Sequence, residues 1–342
     1  MVRDELESLG LEVREDDAAS RTEAGCGNLH CLVPGETDRW VGFCAHLDTV
    51  PHEGPIEVEL DGDTYRSVGD TILGADNKAA IAVLIELAAG LAKQPGPVGV
   101  ELIFTVAEET GLNGALAFDR SGLRAERLFV LDLAEEIGRV VTRSPFYHRL
   151  AAEIEGAEAH AGLVPERGRS AIVAAARAIS AMELGRLDTE TTANVGVIEG
   201  GTAPNVVAGR CRLVGEARAL EEARAAEVIG AMTRAIAQAA SEGGCEAEIE
   251  TSVLHEGYRV PDDSPALLLA EQALRDCGFA PERVVTGGGS DANVFRADGL
   301  DAILLANGTF ANHTPEENVP RANLEAMLGV CRAIVQGAEG QC

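Results

Sequence analysis

Four apolar runs of this chain each stop at an acidic or imidazole side chain: VGFCAHLD at His46 and Asp48, VELIFTVAEE at Glu108 and Glu109, RLFVLD at Asp132, and DAILLANGTFANH at His313. A further carboxylate, Asp76, stands ahead of the Ala-rich run NKAAIAVLIELAAGLAK. Imidazole and carboxylate donors without a Cys among them suit zinc, admit manganese or cobalt, and argue against a structural thiolate site. Taken as one cluster, His46, Asp76, Glu109, Asp132 and His313 crowd three carboxylates together, which repel one another and protonate unless cations compensate them. Two divalent ions bridged by one carboxylate, about 3.5 to 4 Å apart, would do so and would bring the pKa of a shared water toward neutrality. Glu108, beside a ligand but not needed as one, is then the group to take that water's proton.

Each residue has a plainer reading when taken alone. Asp76 reads as a helix N-cap. Glu108 and Glu109 read as a solvated pair at a strand end, His313 as a turn residue in an Asn- and Thr-rich loop, and Asp48 and Asp132 as turn caps. What favours the cluster is that four separate strands end in ligand-type residues.

The elements that must position these groups follow from the same runs. Short stretches of Val, Ile, Leu and Phe, apolar on both faces, are central strands of an α/β sheet, and such sheets gather ligand sites beyond the carboxyl ends of their strands. A short helix over RDELESLGLEV, a buried helix starting near Asp76, and strands over 98–106 and 127–131 make a doubly wound α/β pattern. From about Arg149 the order changes to βαββαβ, that of a ferredoxin-like sandwich. A helix from Ser264 to Cys277, the Gly-rich TGGGSDANVF and the strand DAILLANG then resume the first pattern. The expected architecture is α/β: one discontinuous doubly wound domain over 1–147 and 258–342, carrying an inserted ferredoxin-like α+β domain over 148–257.

At 342 residues and 46% hydrophobic the chain has ample core for two domains. Its 28 Lys and Arg stand against 56 Asp and Glu, a net charge of -28 that offers no basic footprint to nucleic acid or to an anionic membrane. Charge or Gly interrupts the apolar stretches well short of a membrane span, and the segment after Met1 lacks the charged-then-apolar order of a signal peptide. A cytoplasmic location is expected. Eight scattered cysteines with no C-x-x-C pair indicate neither a zinc ribbon nor a disulfide framework. Gly288, Ser290 and Ala292 approximate a G-x-S-x-G elbow, but the third Gly is replaced and the strand before it is only RVVT, so the segment is read as a Gly-rich turn into a helix that lines the substrate pocket. No Lys follows these glycines, which sets aside a phosphate loop.

The segments HLDTVP, GADNKAA, AEETG and NGTFANHTPEE, in this order, resemble the signatures of the dinuclear zinc exopeptidases related to peptidase T, carboxypeptidase G and the aminoacylases. The resemblance spans nearly the whole chain, and GGGSDAN followed by HTPEE is most similar to the peptidase T-like branch. It implies one metal on His46 and Asp132, a second on Glu109 and His313, Asp76 between them, Glu108 as general base and Asp48 orienting His46. It further implies two divalent ions per subunit, zinc with cobalt or manganese as alternatives. The substrate would be a short peptide cleaved in tripeptide-aminopeptidase fashion, the alternatives being a carboxypeptidase, an N-acyl-amino-acid deacylase or a non-catalytic binding relative. The insert becomes a dimerisation (lid) domain of a homodimer, in which His160 of EAHAG reaches the partner's site to stabilise the oxyanion. Asn205 and Arg218 match positions that engage the substrate, joined by Gly288, Gly289 and Ser290 of the Gly-rich turn. His30, His52, His148 and His255 fall outside the matched positions. Family members usually carry a longer opening helix than RDELESLGLEV, a difference that touches none of these residues.

Overall fold

A computed structural model describes residues 1–340; Gln341 and Cys342 lie outside the described residues. The chain forms two compact units. One comprises Met1–Arg143, Arg259–Thr286 and the chain from Ser290 on; the other comprises Ser144–Tyr258 together with Gly287–Gly289.

The first unit is built on a nine-stranded sheet in the order Val13–Glu15, Leu29–Val33, Gly99–Thr105, Trp40–His46, Arg127–Leu133, Asp301–Ala306, Arg139–Ser144 and Tyr258–Arg259, with Glu282–Val285 added alongside Arg139–Ser144. The four middle strands, from Gly99–Thr105 to Asp301–Ala306, run parallel. Gly99–Thr105 is buried throughout and Trp40–His46 beyond its first residue, as expected of strands covered on both faces. Phe43 and Phe129 meet across neighbouring strands at 5.6 Å between ring centroids. Register aligns the strand ends, His46 standing opposite Thr105 and Cys44 opposite Val130. The acidic residues that follow these strands therefore emerge at one edge.

Two local departures matter for the site. The strand expected to stop at Leu131 continues to Leu133, so Asp132 lies inside it. Leu305 pairs with Leu131 and Ala306 with Leu133, which leaves Asp132 as the extra residue of a bulge; bulges re-aim a side chain at sheet ends. The helix Ala75–Lys93 begins irregularly: Gly74, its N-cap residue, is left-handed (φ 71°) and has no side chain to cap the first turn, and Asp76 is extended (φ -81°, ψ 101°). Asp76 is not an N-cap, and its carboxylate is free to face elsewhere.

A small sheet of Val58–Asp61, Thr64–Ser67 and Asn318–Pro320 anchors the chain beyond His313. Phe310 and Asn318 exchange backbone hydrogen bonds of 2.9 and 3.0 Å, closing the loop that carries His313.

The second unit is a five-stranded antiparallel sheet, in the order Gly185–Asp188, Thr191–Gly200, Arg210–Ala219, Phe146–Glu155 and Glu246–His255. Its helices Ala171–Ser180 and Glu222–Glu242 pack on the sheet through Ala174, Ala178, Met232 and Ile236 against Leu150, Ile154 and Leu213. Four of these strands and the two helices follow the expected ferredoxin-like βαββαβ order. The short edge strand Gly185–Asp188 is additional; mostly exposed, it has no apolar alternation to announce it.

Among the described residues no helix is long and apolar enough to cross a membrane. The seven described cysteines are free thiols, and Cys342 lies outside them.

Candidate metal centre

His46 ends a strand that is buried from Val41 onward, and its ring is 2% exposed. Its Nδ1 lies 3.1 Å from the carbonyl oxygen of Asp48 and 3.6 Å from Asp48 Oδ1, so the Nδ1–H is engaged on the Asp48 side. Nε2 is thereby aimed at Asp76 Oδ1 (3.0 Å) and Asp132 Oδ1 (3.3 Å). The Asp48 carboxylate has a second task. Its two oxygens accept the backbone N–H groups of Glu108 (3.0 Å) and Glu109 (3.1 Å), fixing the turn that presents both acids. Ala107, left-handed at φ 52°, makes that turn sharp, a strained conformation of the kind that persists where surrounding contacts hold it.

Asp76 offers one oxygen to each histidine: Oδ1 to His46 and Oδ2 to His313 Nε2 at 3.1 Å. His313 Nε2 also lies 3.0 Å from Glu109 Oε1. Donor atoms of His46, Glu108 and Asp132 lie within 4.8 Å of one another, as do those of His46, Asp76 and Glu109. Seven residues proposed from the sequence, Asp48 and Glu108 with the five acidic and imidazole donors, thus converge at one sheet edge. The first of these triads includes Glu108, so its carboxylate reaches the same point as the donors of His46 and Asp132.

Charge explains the electrostatics. Burial opposes protonation of His46, yet Asp132, Asp48 and Asp76 outweigh it and hold the imidazole pKa well above its usual range. The Asp76 hydrogen bond, against some desolvation and with help from Glu109, raises His313 to about 9. Burial pushes Asp132 up to about 7 and Glu108 well above the carboxylate range, the neighbouring acids adding to both. Asp76 goes down, because hydrogen bonds from His313 and His46 overcome its desolvation, and Asp48 likewise goes down against its own desolvation through His46 and the Glu108 and Glu109 N–H groups. Without a cation the cluster holds its protons. A divalent ion needs neutral imidazole and ionised carboxylate, so its binding must release protons, and affinity rises with pH as His313, raised to about 9, loses its proton. Calorimetry in two buffers of different ionisation enthalpy reads the expected release; identical heats in both would contradict it. The stability that His313 contributes to the metal-free protein has its own pH window. It is fully present below the ordinary histidine pKa of about 6.5 and is lost as pH rises through about 9.

Residues 42–337 match the model of the peptidase family M20/M25/M40. The chain belongs to this family. The M20 chain is 37% identical over 341 residues to an uncharacterised protein, YqjE, of Bacillus subtilis, covering 99% of this chain and 92% of that one. The crystal structure of aminopeptidase PepT from Bacillus cereus matches with TM-score 0.87 and 37% identity, covering 98% of this chain and 91% of that one. That of a tripeptidase from Staphylococcus aureus gives TM-score 0.93 and 31% identity over 99% and 92%.

Polar residues that sequence patterns missed are buried in and around this cluster of candidate donors. Asn77, fully buried, donates to Asp132 Oδ1 at 2.9 Å, and Asn307 Nδ2 reaches Asn77 Oδ1 at 3.4 Å. Asp291, 1% exposed, accepts the Thr105 hydroxyl and, at 3.7 Å, the Cys44 thiol; burial lifts its pKa to about 6. Glu317, also 1% exposed, accepts two backbone N–H groups at the start of the Asp76 helix. All four sit in or beside segments quoted for the resemblance, but amide and carboxylate residues in polar loops carry no periodicity that predicts burial.

The residues proposed to meet substrate distribute differently. Ser290 is 1% exposed and its hydroxyl accepts the Ala292 N–H as the N-cap of the helix Asp291–Ala297. In the second unit the guanidinium of Arg218 stacks 4.1 Å from the centroid of Tyr147, pairs with Glu216 and donates to the Gly287 carbonyl at 3.1 Å. Gly289 packs so closely on His255 that a Cβ would stand 2.3 Å from its Nε2, and Gly288 accepts the Ser144 hydroxyl at 3.0 Å. His160 is exposed, its Nδ1 accepting the Gly162 N–H at 3.2 Å, and the adjoining Ala161 N–H donates to the Asn205 carbonyl at 2.9 Å. His30 pairs with buried Glu101 at 3.2 Å and exposed His52 lies 3.1 Å from the Gly54 carbonyl, while His148 and His255 are mostly buried in the second unit.

Proposed function

We propose that this M20-family chain is a dizinc exopeptidase that hydrolyses the amide bond of short peptides in the manner of a peptidase T-like tripeptide aminopeptidase. The single observation that carries the reading is Asp76, whose two oxygens face His46 on one side and His313 on the other, with Asp132 beside the first histidine and Glu109 beside the second. An all-nitrogen-and-oxygen donor set with one carboxylate shared between two arms fits a pair of divalent ions: His46 and Asp132 would hold one, Glu109 and His313 the other, and Asp76 both. When bound, such ions polarise the scissile carbonyl and acidify the attacking water.

The chain's own groups supply the rest. Glu108 takes the proton of the attacking water and returns it to the departing amine. Asp48 keeps Glu108 in place through its backbone N–H and keeps the His46 ring oriented. His160 of a partner subunit would stabilise the oxyanion, which makes the enzyme a homodimer with the inserted unit as its dimerisation and lid element. Asn205, Arg218 and the Gly288–Gly289 strip would engage the peptide, the guanidinium being suited to a carboxylate.

Cleavage profiling of di- and tripeptide pools, with zinc, manganese and cobalt supplied in turn, tests this. The expected result is release of amino-terminal residues from tripeptides, abolished by amino-terminal acetylation. Turnover confined to carboxyl-terminal release or to N-acyl amino acids would move the assignment to the carboxypeptidase or deacylase members, and inertness toward every amide would overturn it.

A further inference from the structure

We propose that Glu317 is a positioning residue that sets the carboxylate of Asp76 between the two histidines, an inference that rests on the dimetal reading of the site. Glu317 is a buried acid, 1% exposed, whose charge also acts on the ammonium group of Lys78. Its Oε2 accepts the Gly74 N–H and its Oε1 the Asp76 N–H, each at 2.8 Å. Burying a carboxylate beside another acid is costly unless it gains charge-assisted hydrogen bonds, and here both oxygens have one. These two N–H groups flank the irregular opening of the Ala75–Lys93 helix, where Gly74 is left-handed, Asp76 extended and the N-cap residue, a glycine, has no side chain to act as a cap. A regular first turn would carry Asp76 along the helix surface. The clamp instead holds it in an extended conformation with its side chain toward His46 and His313.

The same loop performs the second half of the task. Phe310 and Asn318 close the loop by mutual backbone hydrogen bonds, and the Glu317 N–H donates to the Thr314 carbonyl at 3.1 Å. His313, left-handed at φ 66°, rises from this loop to touch Asp76 Oδ2 at 3.1 Å. One rigid loop therefore holds the backbone of Asp76 through Glu317 and meets its side chain through His313. The position of the shared carboxylate relative to His313 is set within a single segment rather than by two independent ones. Neither Glu317 oxygen belongs to a converging donor group, so its action on a metal passes through Asp76.

Metal-stripped wild-type protein and Glu317→Gln are titrated with cobalt(II), followed by calorimetry and by the visible absorption of the bound ion. Glu317→Gln keeps the volume but turns one acceptor into a donor facing an N–H. Its affinity is expected to fall about 10- to 100-fold, as for loss of an outer partner of a metal ligand, with a changed absorption envelope. Glu101→Gln serves as the control for a merely structural role. Glu101 is likewise buried and accepts the backbone N–H groups of Arg124 and Ala125, so its loss lowers thermal stability and leaves cobalt binding as in wild type. Should Glu317→Gln prove unfolded, Glu317→Asp, which keeps both acceptors on a shorter arm, is expected to fold and to show the same loss in smaller degree. Two cobalt ions bound by a folded Glu317 variant with wild-type affinity and spectrum would overturn the role of Glu317 alone. A wild-type protein that takes up no cobalt, zinc or manganese would instead overturn the dimetal reading, and the role of Glu317 with it.

Discussion

Glu108→Gln lowers kcat for tripeptide hydrolysis by about 10²- to 10⁴-fold, the range lost with a general acid–base group, while KM and bound metal stay near wild type. Three features of the site lead to this expectation. The side chain is 9% exposed, so bulk water cannot substitute for it readily. Desolvation first, and the charge of Asp132 second, raise its pKa well above that of an ordinary carboxylate in the metal-free protein, the kind of perturbed group found at functional sites. Its backbone is tied to Asp48 and not to its own carboxylate, so the amide replacement leaves the turn and Glu109 where they are. Steady-state kinetics with elemental analysis of the same sample makes the test. Turnover within a factor of ten of wild type, with two ions bound, would mean that another group accepts the proton.

Asp76→Ala is expected to lose both ions and to reduce hydrolysis to background. An outer partner of a ligand is worth about 10- to 100-fold in affinity; Asp76 is the only described carboxylate hydrogen-bonded to both His46 and His313, so its removal should exceed that range at each site. It also leaves two imidazoles facing acids across a gap, with Asp132 and Glu109 as their remaining partners. Equilibrium dialysis against zinc measures the outcome. Retention of two ions at wild-type affinity would remove Asp76 from its shared position, whereas retention of one would show that His46 with Asp132, or His313 with Glu109, suffices alone.

His46, Glu109, Asp132 and His313 could be found from the sequence because each terminates an apolar run, and strand burial forces such ends to one edge. Family signatures added the division of labour among them. The geometry of Asp76 was beyond either source: helix propensity carries the helix from near Asp76, and only a buried acid 241 residues later in the chain, Glu317, explains why the first turn is irregular. Asp132 was placed one step past its strand because a bulge leaves no compositional trace. Asn77, Asn307 and Asp291 look like loop residues in the sequence, and it is long-range packing that makes them interior. In the same way, the Gly287–Gly289 strip belongs by packing to the second unit, although chain order joins it to the first.

The order in which the donors leave the ribosome has its own consequence. His46, Asp76, Glu109 and Asp132 are synthesised first; His313 and Glu317 come only after the inserted unit, which has a hydrophobic core of its own. At about 5–20 residues per second the interval between Asp132 and His313 lasts roughly 10 to 40 s. During that time His46, Asp76, Glu109 and Asp132 are already in the chain, whereas His313 and Glu317 are not. On the dimetal reading the site therefore gains its second imidazole only when the chain is nearly complete, and a chain that stops short of His313 is expected to show no hydrolysis.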